Sequence, residues 1–148
     1  MSLETQIPED LKTAMKAKDK VRVNTLRAVL SGIKYLRAEG GHDEISDDDV
    51  IGIVNREVKK RRDSIEMYES NGRPELAENE QAEVAILMEY LPAQLTEEEI
   101  RQIVTDTIAE VGATSPADKG KLMGALMPKV KGKADGKAVN TLVSELLS

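Results

Sequence analysis

Six lysines crowd residues 119–137: Lys119, Lys121, Lys129, Lys131, Lys133 and Lys137, opposed there only by Asp135. That leaves a local charge of +5 in a chain of net charge −6. Ammonium groups at this density suit phosphate, and Gly132 among them would let an oxyanion approach the backbone closely. The same composition also describes a solvated loop between two packed helices, and both readings stand. A second basic run, Arg56-Glu57-Val58-Lys59-Lys60-Arg61-Arg62, sets five bases against one acid. Four consecutive basic residues wrap most of a helical turn, so some of them must point away from the core. They form either a phosphate-contacting patch or a solvated helix face with pairs such as Glu57–Arg61 at i,i+4. Residues 12–37 hold eight basic residues against Asp19 alone, a local charge of +7.

Other chemistry finds little footing. The single histidine, His42, sits in a glycine-flanked acidic loop with no evident partner. Cysteine is absent, which removes thiolate metal sites, cysteine nucleophiles and disulfides. Asp47-Asp48-Asp49 lacks the alternating ligands and glycine turn of a calcium loop; with Ser46 it reads as a capped helix start. Gly120-Lys121 lacks the upstream glycine loop of a phosphate-binding P-loop, and no serine lies in a nucleophile elbow. We therefore assign no catalytic residue, metal site or cofactor. Tyr35, Tyr68 and Tyr90 are the only aromatics, too few for binding single strands by base stacking.

These side chains must be positioned by helices. The apolar residues are aliphatic, recur at three and four, and show no sustained alternation, so the fold is expected to be all-α. Leu3, Ile7, Leu11, Ala14 and Met15 mark a first helix, with Ser2 as its cap and Pro8 able to delay its regular start. Asp19 caps a second, whose face is Val23, Leu26, Leu30, Ile33 and Leu36. The third, about 47–70, tracks Val50, Val54, Val58, Ile65 and Tyr68. The fourth, about 74–90, turns Ala77, Val84, Leu87, Met88 and Leu91 inward and Glu75, Glu78, Glu80, Glu83 and Glu89 outward. Pro92 breaks the chain there. Thr96 with Glu99 starts a fifth helix that Gly112 ends. Ser115-Pro116 starts a sixth, which Pro128 is expected to stop. Asp135 caps the last, whose face is Val139, Leu142, Val143, Leu146 and Leu147. The expected organisation is an N-terminal domain, residues 1–92, of four helices in two hairpins, then a three-helix C-terminal bundle, residues 96–148.

Four segments resemble the YqeY family: L-R-A-V-L-S-G-I-K (26–34), N-R-E-V-K-K-R-R-D-S-I-E-M-Y-E (55–69), E-Y-L-P-A-Q-L-T-E-E-E-I (89–100) and G-K-L-M-G-A-L-M-P-K-V-K-G-K-A-D-G-K-A-V-N (120–140). The resemblance covers nearly the whole chain in order. From about residue 96 it is also similar to the tail domain of the B subunit of tRNA-dependent glutamine amidotransferase. Gly124, Met127, Lys131, Gly132, Ala134, Asp135, Val139 and Asn140 stand at that pattern's positions, with Asp135 replacing the commoner asparagine. The resemblance implies an all-helical protein with a link to tRNA. It implies no catalysis, because the amidotransferase chemistry belongs to other domains and subunits.

The leading expectation is a non-catalytic RNA-binding accessory protein whose partner is tRNA or a tRNA-bearing complex. Lys129, Lys131, Lys133 and Lys137 would meet phosphates around Gly132, and Arg56, Lys59, Lys60, Arg61 and Arg62 would form a second contact. The alternatives are a module docking onto a tRNA synthetase or amidotransferase, and, as the family label suggests, a carbon–nitrogen ligase using glutamine as amido donor. With no membrane-spanning stretch, signal peptide or cysteine, a cytoplasmic location is expected.

Overall fold

In the computed structural model, which describes residues 2–40 and 44–148, α-helices carry the chain. They are α1 (Leu3–Lys16), α2 (Lys20–Ala38), α3 (Asp47–Ser70), α4 (Glu78–Met88), α5 (Glu97–Val111), α6 (Lys119–Val130) and α7 (Gly136–Leu147). Short 3-10 turns, Pro74–Ala77 and Pro116–Asp118, lead into α4 and α6. The described residues contain no strand. His42, weighed above, lies outside them, as do Gly41 and Asp43 of the loop around it.

The chain divides into two compact units, Met1–Leu91 and Pro92–Ser148. In the first, α1 packs on α2 and α3 on α4, while α2 also touches α3 and α4. Its core is aliphatic: Ile7, Leu26, Val29, Ile33, Val50, Ile53, Val54, Val58, Ile86 and Leu87, closed by Ile45 and Tyr90. Val29 and Ile86, absent from the expected faces, are buried, whereas Met15 is half exposed. Gly32 in α2 lies against α3, where an added Cβ would stand 2.7 Å from Ile53 Cγ2. In the second unit α5 packs on α6 and α7 around Ile100, Val104, Leu122, Leu126, Val130, Val139, Leu142 and Val143.

Local capping explains the helix starts. Ser46 and Asp49 form a reciprocal capping box at α3, and Thr96 Oγ1 accepts from Glu99 N at α5. Gly112 closes α5 in the left-handed conformation, φ 69°. The prolines behave differently from expectation. Pro8 lies inside α1, which starts at the Ser2 cap without delay. Pro128 does not stop α6, which runs on to Val130. A proline interior to a helix orphans the carbonyl four residues back. Here that carbonyl belongs to exposed Gly124, where water can take it. Buried Val130 and the bond from Lys131 N to Met127 O (2.9 Å) hold the final turn.

Candidate nucleic-acid interface

The turn after α6 is built around Gly132. This residue is buried and has φ 73°, a conformation that disfavours any side chain. Lys133 N and Ala134 N both return to Val130 O, at 2.9 and 3.2 Å. The segment after Pro92 straps the turn from outside: Gln94 Nε2 donates to Gly132 O and Leu95 N to Lys133 O, each at 2.8 Å. Gly132 thus serves the turn itself, with its carbonyl already occupied. Asp135 then caps α7, accepting from Lys137 N at 3.2 Å.

The lysines of this turn fall into separate groups. Lys129, on the last turn of α6, reaches across to α5, with Nζ 2.6 Å from Glu110 Oε2 and 3.0 Å from Thr107 Oγ1. It is paired within the unit at the surface, and it donates to the hydroxyl of fully buried Thr107, which itself donates to Ile103 O at 2.7 Å. Lys131 and Lys133 stand on either side of Gly132, both exposed, and neither forms an ion pair among the described residues. Lys137 is exposed in the first turn of α7.

The basic run on α3 divides in the same way. Arg61 turns inward: Nε lies 2.5 Å from Glu83 Oε2 and Nη1 3.5 Å from Glu57 Oε2. Only 13% of its side chain is exposed, against 16% for Glu83, so Glu83 is not on the outer acidic face expected for α4. The anticipated Glu57–Arg61 pair forms, but as part of this half-buried cluster. Arg62 is half-buried, with Nη2 3.9 Å from Met88 Sδ. Lys59 is exposed and pairs with Asp63 at 3.4 Å. Arg56 and Lys60 are exposed and make no ion pair among the described residues. Arg61 is therefore sited to hold α3 to α4, and Arg56 and Lys60 are the exposed cations of this run that make no ion pair among the described residues.

One carboxylate-rich hollow, which the sequence did not single out, tests for catalysis. It has a volume of 470 Å³ and includes Gln6, Asp10, Asp19, Arg22, Glu89 and Tyr90. Three carboxylates beside a phenol are groups that can do acid–base work. Here the groups satisfy one another. Arg22 Nη1 donates to Glu89 Oε2 at 2.6 Å, Asp19 pairs with Arg22 Nε at 3.5 Å, and Tyr90 Oη donates to Asp10 Oδ2 at 2.5 Å. Burial, then the Asp10 bond, pushes the Tyr90 phenol well above its ordinary range, so it keeps its proton. The arrangement is a staple joining α1, α2 and the end of α4. The adjacent Glu89-Tyr90 of E-Y-L-P is the signal that could have located it. Among the described residues no three His, Asp or Glu side chains group as a metal site, and no helix is long and apolar enough to cross a membrane.

The motifs therefore have structural partners: P-A-Q-L straps K-G-K, and E-Y closes the first core. A family model described as Yqey-like protein matches residues 4–147. The chain belongs to the Yqey-like family. Among its relatives is "Altered inheritance of mitochondria protein 41, mitochondrial" of Pyrenophora tritici-repentis, 30% identical over 96% of this chain and 79% of the relative. The proteins of the same name in Lachancea thermotolerans and Kluyveromyces lactis are 33% and 35% identical over 75% and 68% of this chain. The Yqey-like chain spans 60% and 57% of those two proteins. These relatives are mitochondrial by name, which overturns the cytoplasmic location expected above. The expectation failed because a lack of cysteine is neutral between reducing compartments, and a chain spanning part of its relatives says nothing of a leader.

Proposed function

We propose that this Yqey-like chain is a non-catalytic RNA-binding accessory protein, with tRNA or a tRNA-bearing complex as its partner. Its N-terminal helices would act as two hairpins and its C-terminal helices as a bundle, as in an amidotransferase tail. The observation that carries the reading is the division of labour within each basic run. Arg61 is spent on a half-buried cluster and Lys129 on a surface pair with Glu110, while Lys131, Lys133, Arg56 and Lys60 remain exposed without an ion-pair partner among the described residues. A strapped turn holds Lys131 and Lys133 on a fixed backbone, which lowers the ordering cost of meeting phosphates. With so few aromatics, recognition is through backbone charge and shape. The net charge of −6 opposes tight, indiscriminate binding, and the salt dependence follows the number of phosphates contacted.

Filter binding of total tRNA at two salt concentrations tests this. Lys131→Ala/Lys133→Ala is expected to weaken binding and to flatten the log–log salt slope by about 1.5, at roughly 0.7–0.9 for each phosphate left without its lysine. Lys129→Ala is expected to leave the slope unchanged and to destabilise its unit by less than about 1 kcal/mol, because its bonds are made within the unit but at its surface. No binding of tRNA by the native chain at low salt would refute the reading and favour a protein-docking module.

A further inference from the structure

The largest basic run, residues 12–37, gives Arg22 to the Glu89–Tyr90 hollow and also lines a second hollow. Met15, Lys18, Lys20, Val23, Asn24 and Arg27 line a space of 410 Å³ at the corner between α1 and α2. Among the described residues no carboxylate lines it. The neighbouring acid, Asp19, points to the other side of the corner: it accepts from Arg22 N at 3.1 Å and lines the Glu89–Tyr90 hollow instead. Lys18, Lys20 and Arg27 are all exposed, and none forms an ion pair among the described residues. The corner thus sorts its charges, acids to one side and three uncompensated cations to the other.

The backbone adds a second observation. Lys18 has φ 57°, the only non-glycine residue with positive φ among those described. It occupies the position after the α1 C-cap, where Asp19 N returns to Ala14 O at 3.0 Å and where glycine is the favoured residue. A lysine adopts this conformation at more cost than glycine would, and it fixes the residue at the corner beside Lys20. The floor is apolar, because Met15 is 50% exposed and Val23 only partly covered. A methionine sulfur and an aliphatic face suit the flat ring of a base, and the Asn24 amide can both donate and accept at its edge. The hollow is shallow and open to solvent, so a ligand would lie across it with one face exposed.

We propose that this hollow binds a nucleoside 5′-phosphate, with Lys18, Lys20 and Arg27 on the phosphate and Met15, Val23 and Asn24 against the base. This deepens the RNA reading, on which it rests for the origin of the ligand. The same chemistry is offered by a free nucleotide and by the phosphorylated end of an RNA.

The test titrates the full chain with AMP, adenosine and inorganic phosphate, following backbone amides by NMR. AMP is expected to shift the amides of residues 15–27 and to bind at least about ten times more tightly than either fragment, since each fragment reaches only one half of the hollow. Lys20→Ala/Arg27→Ala, at exposed positions, should reduce AMP affinity at least about tenfold with the helical circular dichroism retained. Lys18→Gly is the decisive variant: relief of strain should raise Tm by about 4 °C while AMP affinity falls. A rise in Tm with unchanged AMP affinity would make Lys18 merely a poor cap and overturn the proposal. So would AMP shifts absent from residues 15–27. If tRNA binds the native chain but AMP does not, the hollow fails and the RNA reading survives; AMP binding without tRNA binding gives the reverse. A weakened tRNA complex in Lys20→Ala/Arg27→Ala assigns the ligand to an RNA end, and an unchanged one to a free nucleotide.

Discussion

Replacing Gly32 by alanine sets two effects of known sign against each other. Glycine in the middle of a helix is about 1 kcal/mol worse than alanine, so on an isolated α2 the change would stabilise. In the folded unit the new Cβ would stand 2.7 Å from Ile53 Cγ2, closer than carbon atoms approach. Ile53 is 3% exposed and β-branched, with one favoured rotamer in a helix, so it cannot swing aside cheaply. Overpacking of this size costs about 1–3 kcal/mol, which outweighs the helical gain and leaves Gly32→Ala destabilising by about 1 kcal/mol. Ile53→Ala alone should cost about 2–5 kcal/mol through its cavity. In that background the methyl at position 32 has room, and its effect should reverse to a gain of about 1 kcal/mol. The double-mutant cycle is then non-additive by about 2 kcal/mol. Urea unfolding followed by tyrosine fluorescence is the assay, and it reads only the first unit, because Tyr35, Tyr68 and Tyr90 all lie there. Stabilisation by Gly32→Ala in the native background, or strict additivity, would refute the close approach of α2 and α3.

The remaining predictions concern the polar contacts of the same unit. Arg61→Ala strands Glu57 and Glu83 in a site where their partner is only 13% exposed, and should cost about 2–3 kcal/mol. Glu83→Gln keeps a hydrogen-bond acceptor and should cost about 1 kcal/mol, read from the same urea curves. Weaker RNA binding by Arg61→Ala with unaltered stability would mean that Arg61 faces outward after all. The folded state holds the Tyr90 proton to higher pH than the unfolded chain, whose tyrosines titrate near about 10. Its contribution is therefore complete below about pH 10 and lost as pH rises further. Tyr90→Phe should flatten the fall in urea midpoint between about pH 9.5 and 11, and parallel slopes in the two proteins would count against the buried Tyr90–Asp10 bond.

How much of this was legible in the sequence follows from the range of each interaction. Helix starts are local: Ser46 with Asp49, Thr96 with Glu99 and Asp135 with Lys137 act within three residues, and the structure places their bonds there. Side-chain direction at a basic run is not local. Arg61 is set by Glu83, 22 residues on, and Lys129 by Glu110, 19 residues back. Nothing in four consecutive bases distinguishes the one that will turn inward. Pro128 departs from expectation because the breaking rule treats a helix as isolated, whereas burial of Val130 holds this last turn closed. The Lys18–Lys20–Arg27 hollow is visible in the sequence only as an excess of charge, since its boundary depends on Asp19 facing away.

The same reasoning changes what a glycine-and-lysine motif signifies here. K-G-K-A-D-G-K invites the view that Gly132 exists so that a phosphate can approach the backbone. In the fold its carbonyl is taken by Gln94, its conformation has φ 73°, and the residue is buried. The glycine is explained by the turn, and Gln94 and Leu95 of P-A-Q-L by the carbonyls they strap. What the fold leaves unexplained is narrower: the exposed Lys131 and Lys133 on that fixed turn, without an ion pair among the described residues, and a lysine at residue 18 where glycine would be the favoured residue. Buried contacts account for Arg61 and Gly132, and a surface pair with Glu110 engages Lys129, so substituting them tests stability first and binding only second. Lys131, Lys133 and Lys18 reverse that order, because removing them costs the fold little, and for Lys18→Gly should relieve it. A binding defect that tracks these three residues and not the internal set is the pattern that separates a surface built for an anion from one that is merely basic.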